Sequence, residues 1–190
     1  MQYVVGIDEA GRGPLAGPVA IGAVKVGLEF KKNFWKGIKD SKKLSAEERE
    51  LWFELALEAR KEGLLDFVVS FVSEKVIDRK GISYAIRLGI KRSLIALGVL
   101  KNSQIFLDGG IKAPGRFTHQ LTVVRGDEKI PVISLASIVA KVTRDRKMIK
   151  LSKKFPEFSF HIHKGYGTYM HRQAIPKYGP TELHRKSFLK

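Results

Sequence analysis

Twice in this chain a short apolar run ends in an acid and is followed closely by glycine. The first is Tyr3-Val4-Val5-Gly6-Ile7-Asp8-Glu9-Ala10-Gly11, the second Gln104-Ile105-Phe106-Leu107-Asp108-Gly109-Gly110. Runs of this length and content read as buried strands. A carboxylate at the end of a buried strand is costly to desolvate unless something compensates it. In open α/β sheets ligands bind beyond the carboxyl ends of the strands. If the two runs are neighbouring strands, both carboxylates face one crevice, and the chain is held to a sheet with its chemistry along one edge.

The remaining pattern fits such a sheet. Residues 18–26 are rich in Val, Ile and Ala between glycines and read as a hairpin partner of the first strand. Residues 31–43 form a basic loop, with Phe34 and Trp35 more at home in the core than on a ligand. Ser45 with Glu48 makes a capping box, so a helix starts there, and its expected apolar stripe is Leu51, Leu55 and Ala59 with Trp52 and Ala56 beside it. Residues 65–72 suit a third strand. Ile82, Ile86, Ile90, Leu94 and Leu97 line one face of a long helix closed by Gly98. Residues 118–124 read as a strand, 125–129 as a loop, 132–151 as a helix, and 168–177 as a short helix. The expected architecture is α/β, a mixed sheet flanked by helices in a single domain over residues 1–190, with a helical C-terminal extension from about residue 155.

Composition narrows the chemistry. With no cysteine, disulfides, thiolate-bound zinc and thiol catalysis are excluded, so a metal must be held by oxygen or imidazole, and oxygen ligands favour Mg²⁺ or Mn²⁺. Lys and Arg number 35 against 19 for Asp and Glu, a formal charge of +16, and an excess this large points to a polyanionic partner, most often nucleic acid. No run reaches the length of a membrane span, and the N-terminus lacks the pattern of a signal peptide. The expectation is a cytoplasmic protein with no membrane partner.

Asp8, Glu9 and Asp108 are the leading candidates for metal ligands, and Asp127 follows a further strand in a Gly-Asp pair. Carboxylates converging from separate strands cannot all ionise without cations between them. Two divalent ions roughly 4 Å apart would relieve the repulsion and serve phosphodiester hydrolysis. Aspartate beside glycine is also common in turns, and for Asp127 alone a turn is the plainer reading. Gly11 and Gly13 around Arg12 leave backbone N–H groups open to a phosphate or sugar. Along the helix after Pro131, Ser134, Ser137, Lys141 and Asp145 recur at helical spacing; close packing through small serines is as good a reading as function, while Lys141 and Arg144 suit a strand backbone. Tyr166 between Gly165 and Gly167 suits stacking on a sugar or base, or covering the core. His161 and His163 form an H-x-H pair, a weak zinc signal.

Six segments, in order along nearly the whole chain, resemble the ribonuclease HII family. They are Gly6-Ile7-Asp8-Glu9-Ala10-Gly11-Arg12-Gly13-Pro14, Asp40-Ser41-Lys42-Lys43-Leu44, Leu107-Asp108-Gly109, the run from Ala136 to Asp145, Lys164-Gly165-Tyr166-Gly167-Thr168, and the run from Gly179 to Arg185. The resemblance implies a ribonuclease H-like fold and cleavage 5′ to a ribonucleotide, in RNA/DNA hybrids or at a single ribonucleotide in duplex DNA, leaving 3′-hydroxyl and 5′-phosphate ends. By position, Asp8, Glu9, Asp108 and Asp127 take the metal-site and catalytic roles. Gly11, Arg12, Gly13 and Tyr166 take the reading of the ribose 2′-hydroxyl, the group that separates RNA from DNA. Lys42, Ser137 and Lys141 join the substrate-binding set. Asp145 stands in an equally recognisable motif and is the rival fourth acid. Leu135 departs from the small residues usual before the signature helix. A monomer is expected, and a sliding clamp is a possible partner that the sequence does not support. The rivals are ribonuclease HIII, a non-catalytic hybrid-binding module, and another two-metal nuclease such as a Holliday-junction resolvase.

Overall fold

The computed structural model describes residues 3–28, 30, 32–38 and 44–189. The first five elements to form the sheet are β1 (Tyr3–Ala10), β2 (Val19–Gly27), β3 (Leu65–Val72), β4 (Gln104–Asp108) and β5 (Gln120–Val123). Their order across the sheet is β3-β2-β1-β4-β5. β1, β2 and β3 run antiparallel in sequence, whereas β4 and β5 join parallel to β1, so the sheet is mixed. β1 and β4 are direct neighbours with Ile7 opposite Leu107. The next residue on each is an aspartate, so the two acids sit side by side at one sheet edge.

Helices cover both faces. α1 (Ala46–Lys61) follows the aromatic 3₁₀ turn Lys32–Trp35; α2 (Glu74–Lys80) and α3 (Ile82–Ala96) follow β3; the single-turn α4 (Gly126–Lys129) and the long α5 (Pro131–Ser152) follow β5; α6 (Phe160–His163) and α7 (Tyr169–Tyr178) complete the chain. Strand alternation divides the core. Val5, Ile7, Ile105 and Leu107 pack with Ile86, Ile90 and Leu94 of α3. Val24 and Val26 pack on the opposite face with Leu135, Ile138 and Val139 of α5 and with Phe53 of α1. A third cluster, Met148 with Phe158, Phe160, Ala174 and Leu183, fastens the C-terminal helices to the end of α5.

α5 lies almost backbone-to-backbone on the sheet. A Cβ at Gly6 would stand 2.3 Å from the Val132 carbonyl oxygen, and one at Gly22 2.2 Å from that of Ala136. The helix can come this close only because glycine occupies both strand positions. Leu135, the departure from the family's small residues, is fully buried in the cluster on that face.

Several expectations change. The capping box is present, with Ser45 and Glu48 bonded reciprocally. The buried face of α1, however, is Phe53, Ala56 and Ala59, while Leu51 and Leu55 are 67% and 44% exposed. Phe53 meets Phe67 edge-on, at 5.9 Å between centroids, and the helix turns that face inward. Two overlapping apolar stripes are available at helical spacing, and the aromatic one wins by burying more area. Residues 126–129, expected as loop, form the turn of α4, entered through Arg125 in the left-handed region at φ 54°. Phe34 and Trp35 pack with Phe30 and Trp52 as expected of core aromatics. The segment of residues 39–43, including Lys42, lies outside the described residues.

Candidate active site

Beyond the carboxyl ends of β1 and β4 lies a cleft of about 420 Å³, lined by Asp8, Glu9, Gly11, Arg12, Gly13, Arg49, Asp108, Ser137, Lys141 and Tyr166 among others. Most of the candidates scattered through the sequence therefore meet in one place. Asp8 is 5% exposed, and its Oδ1 accepts the amide of Glu9 at 2.7 Å. The Ser137 hydroxyl, about two turns into the family helix α5, also bonds its carboxyl. Burial raises the Asp8 pKa well above the ordinary aspartate value, with the Glu9 charge, and then that of Asp108, adding to it. Glu9 is raised for the same first reason, and Arg12 pulls against it from 3.4 Å. Asp108 Oδ1 accepts the amide of Gly126 at 2.6 Å, which aims the acid from the tip of β4.

Asp127 is next to Gly126, yet it is wholly buried and does not line the cleft. Its main-chain carbonyl accepts the Ser134 hydroxyl. The expectation of a fourth acid converging on the crevice is thus met only to the extent of a residue standing behind Asp108. The rival, Asp145, pairs with Lys141 at 3.1 Å on α5. Among the described residues no three acidic or histidine side chains converge as a ready cage for an ion. The acids nevertheless suit a cation. Asp8 is buried, Glu9 and Asp108 are partly buried, the three repel one another and are rich in oxygen, and the buried Glu9 Oε2 has no hydrogen-bond partner among the described residues. The histidine pair is not such a site. His161 Nδ1 lies 3.0 Å from the Ser152 hydroxyl, and His163 bonds the Phe158 carbonyl at 2.7 Å.

The opposite wall is a loop, residues 11–18, gripped by two distant parts of the chain. Leu15 donates to the Gly165 carbonyl, Gly17 donates to the Leu183 carbonyl, and the Leu15 carbonyl accepts from the amide of Arg185. A Cβ on Gly165 would reach the Ala16 carbonyl at 2.4 Å, which is why the turn around Tyr166 begins with glycine. Tyr166 is 40% exposed, its ring face 5.6 Å from Lys141 Nζ and 5.8 Å from Arg144 Cζ. Its backbone is held from beneath by a histidine relay. The Thr181 amide donates to His184 Nδ1 at 2.9 Å, His184 Nε2 meets His171 Nε2 at 3.0 Å, and His171 Nδ1 meets the Tyr166 carbonyl at 2.9 Å. These partners fix the tautomers: His184 carries its proton on Nε2 and His171 on Nδ1, both rings neutral.

Sequence reasoning missed two arginines and misjudged a third. Arg49, in the first turns of α1, lines the cleft and bonds the Leu44 carbonyl at 2.6 Å. Arg144, expected to face a nucleic-acid backbone, is fully buried and bonds the carbonyls of Pro18, Ala16 and Lys164. Arg185 is fully buried too and bonds those of Gly11, Arg12 and Gly17. Both buried arginines stood inside family motifs; nothing local marks an arginine as one that points inward.

A family model described as ribonuclease HII matches residues 5–190. This chain belongs to the ribonuclease HII family. A ribonuclease HII from Caldicellulosiruptor bescii is 43% identical over 189 residues, covering 100% of this chain and 87% of the relative. Among solved structures, the ribonuclease HII of a PCNA complex from Archaeoglobus fulgidus superposes with a TM-score of 0.76 at 28% identity, covering 97% of this chain and 94% of that one. Bst-RNase HIII in complex with Mn²⁺ superposes with a TM-score of 0.75 at 18% identity, over 98% of this chain and 67% of that one, a likeness that speaks to the fold alone. As a ribonuclease HII the protein is a hydrolase, an endoribonuclease acting on the RNA of RNA/DNA hybrids. No helix among the described residues is long and apolar enough to cross a membrane.

Proposed function

We propose that this ribonuclease HII cuts the phosphodiester 5′ to a ribonucleotide, in hybrids and at single ribonucleotides within duplex DNA, leaving 3′-hydroxyl and 5′-phosphate ends. The observation that carries the reading is the single cleft in which Asp8, Glu9 and Asp108 face the Gly11-Arg12-Gly13 loop and Tyr166. One wall has the chemistry of a divalent-metal site and the other that of a sugar and phosphate reader.

Asp8, Glu9 and Asp108 would hold Mg²⁺ or Mn²⁺, two ions during turnover, with Asp127 behind Asp108 as the fourth acid. Bound there, the metal supplies Lewis-acid activation of water and stabilisation of the leaving oxygen. The protein's own groups do the rest. Ser137 fixes the Asp8 carboxyl, and the Gly126 amide fixes Asp108. Lys141 and Arg12 neutralise the substrate backbone, and Lys42 joins them in the substrate-binding set. The Gly11-Arg12-Gly13 backbone and Tyr166 read the 2′-hydroxyl at the junction. Because Asp8 and Glu9 resist ionisation without a cation, metal binding releases protons and strengthens as pH rises.

The test is cleavage of a duplex holding one ribonucleotide, with Mg²⁺ or Mn²⁺, by the unmodified protein and by Asp108→Asn. The expected outcome is one metal-dependent cut, with kcat lowered at least 100-fold in a variant that keeps its fold. Metal-independent cutting, or an unimpaired variant, overturns the mechanism. A monomer working in the cytoplasm fits this reading. The PCNA complex of the A. fulgidus relative makes a sliding clamp a partner worth testing by gel filtration of the mixed proteins.

A further inference from the structure

Arg144 and Arg185 are fully buried, a rare place for arginine. Among the described residues, every hydrogen bond their guanidiniums make goes to a main-chain carbonyl, and none to a carboxylate. Burial lowers the pKa of Arg185 to about 10, with the neighbouring Arg144 charge contributing. Two guanidiniums are therefore held at some cost under one loop, for a task that backbone carbonyls alone define.

That task follows from peptide geometry. The carbonyl oxygens of Gly11 and Arg12 turn inward to Arg185, at 2.7 and 2.9 Å. The chain has no cis peptide among its described residues. In a trans peptide the C=O and the next N–H point in opposite directions. The amides of Arg12 and Gly13 must therefore point outward. Both residues are exposed and line the cleft. Neither amide donates to a protein acceptor among the described residues.

We propose that Arg185, backed by Arg144, is a positioning residue that aims the Arg12 and Gly13 amides into the cleft as a fixed pair of donors to the ribose 2′-oxygen. The inference rests on the reading of this loop as a sugar reader. It explains why arginine is needed: a planar fork of five N–H groups holds the carbonyls of Gly11, Arg12 and Gly17 at once, which the point charge of lysine cannot. Donors held in place before the substrate arrives need no rearrangement during reaction. The chain also secures the arginine itself. Asp78 of α2 accepts the amides of Lys186 and Ser187 at 2.9 and 3.0 Å and the Ser187 hydroxyl at 2.6 Å, pinning the segment that follows Arg185.

The experiment measures kcat/KM on a duplex with one ribonucleotide and on the same duplex with a 2′-fluoro nucleotide, which lacks the hydroxyl. Three variants are compared with the unmodified protein: Arg185→Lys, Asp78→Ala and the core control Ile90→Val. The ratio is independent of how much protein is folded, so a purely structural role leaves it unchanged. The unmodified protein and Ile90→Val are expected to favour the hydroxyl at least 100-fold. Arg185→Lys is expected to reduce that preference at least tenfold, and Asp78→Ala about threefold. If the unmodified protein cuts both substrates alike, the sugar-reading loop itself is wrong. If it discriminates and Arg185→Lys does so equally, only the positioning role falls. Should Arg185→Lys fail to fold, the Asp78→Ala ratio decides in the same two directions.

Discussion

At the scale of single residues the site depends on contacts made behind its walls. Gly11 has φ 88°, and a Cβ there would stand 2.0 Å from Arg144 Nε, itself tied to the Pro18 carbonyl at 3.0 Å. Gly11→Ala therefore meets a strained backbone and a side chain that cannot yield, at a cost of about 2–4 kcal/mol. A lower urea midpoint with weakened cleavage is the expected result, and an unchanged midpoint would refute it. The histidine relay has its own signature. Burial first, and then the repulsion that protonated His171 and His184 rings would exert on each other, lower His184 to about 4 from an ordinary 6.5. Between those values the unfolded chain takes up a proton that the folded chain refuses, so stability falls as pH drops from about 6.5 to about 4. Above that window the contribution is complete. It amounts to a loss on the order of 2–3 kcal/mol, visible as a steeper fall in the urea midpoint of the unmodified protein than of His184→Asn. Equal slopes would show that His184 does not stay neutral.

At the scale of elements the decisive contact is α5 on β1 and β2. Since a Cβ at Gly22 would meet backbone rather than a movable side chain, Gly22→Ala must push the helix off the sheet. It is expected to destabilise by about 3 kcal/mol and to shift Ser137 away from Asp8, so denaturant unfolding and cleavage should both suffer. A variant with normal stability would contradict the close packing. Much of this element-level plan was legible in the chain. Val4 to Asp8 and Ile105 to Asp108 announced two strands ending in acids; that they are neighbours was only a condition of that reading, and the sheet supplies it. The bonded capping box placed the start of α1. Its orientation was not legible, because Leu51-Leu55 and Phe53-Ala56 are both plausible stripes until Phe67 and α5 are in place. The setting of Asp127 on a helical turn was not legible for a similar reason. The left-handed turn at Arg125 redirects the chain into α4 and carries the acid into the wall, and nothing in Arg-Gly-Asp-Glu-Lys separates that turn from an open loop. Arg144 and Arg185 defeated the usual expectation that arginine is solvated, since their partners are carbonyls as many as 174 residues away.

At the scale of the whole molecule, charge and connectivity govern behaviour. A formal charge of +16 makes association with duplexes strongly ionic. If five to eight phosphates are contacted, the logarithm of the binding constant should fall against the logarithm of salt concentration with a slope of about −4.5 to −7. Fluorescence anisotropy of a labelled hybrid, with catalysis suppressed by Asp108→Asn, measures it; a slope near zero would remove nucleic acid as the target of that charge. Connectivity has a different consequence. The loop at residues 11–18 leaves the ribosome well before the groups that shape it, Gly165 and Leu183 to Arg185. The acids of β1 can join β2 and β3 long before then, but the wall opposite them cannot set. A nascent chain that has released residues 11–18 but not residues 165–185 thus carries half a nuclease, and competence to cut waits for the later segment.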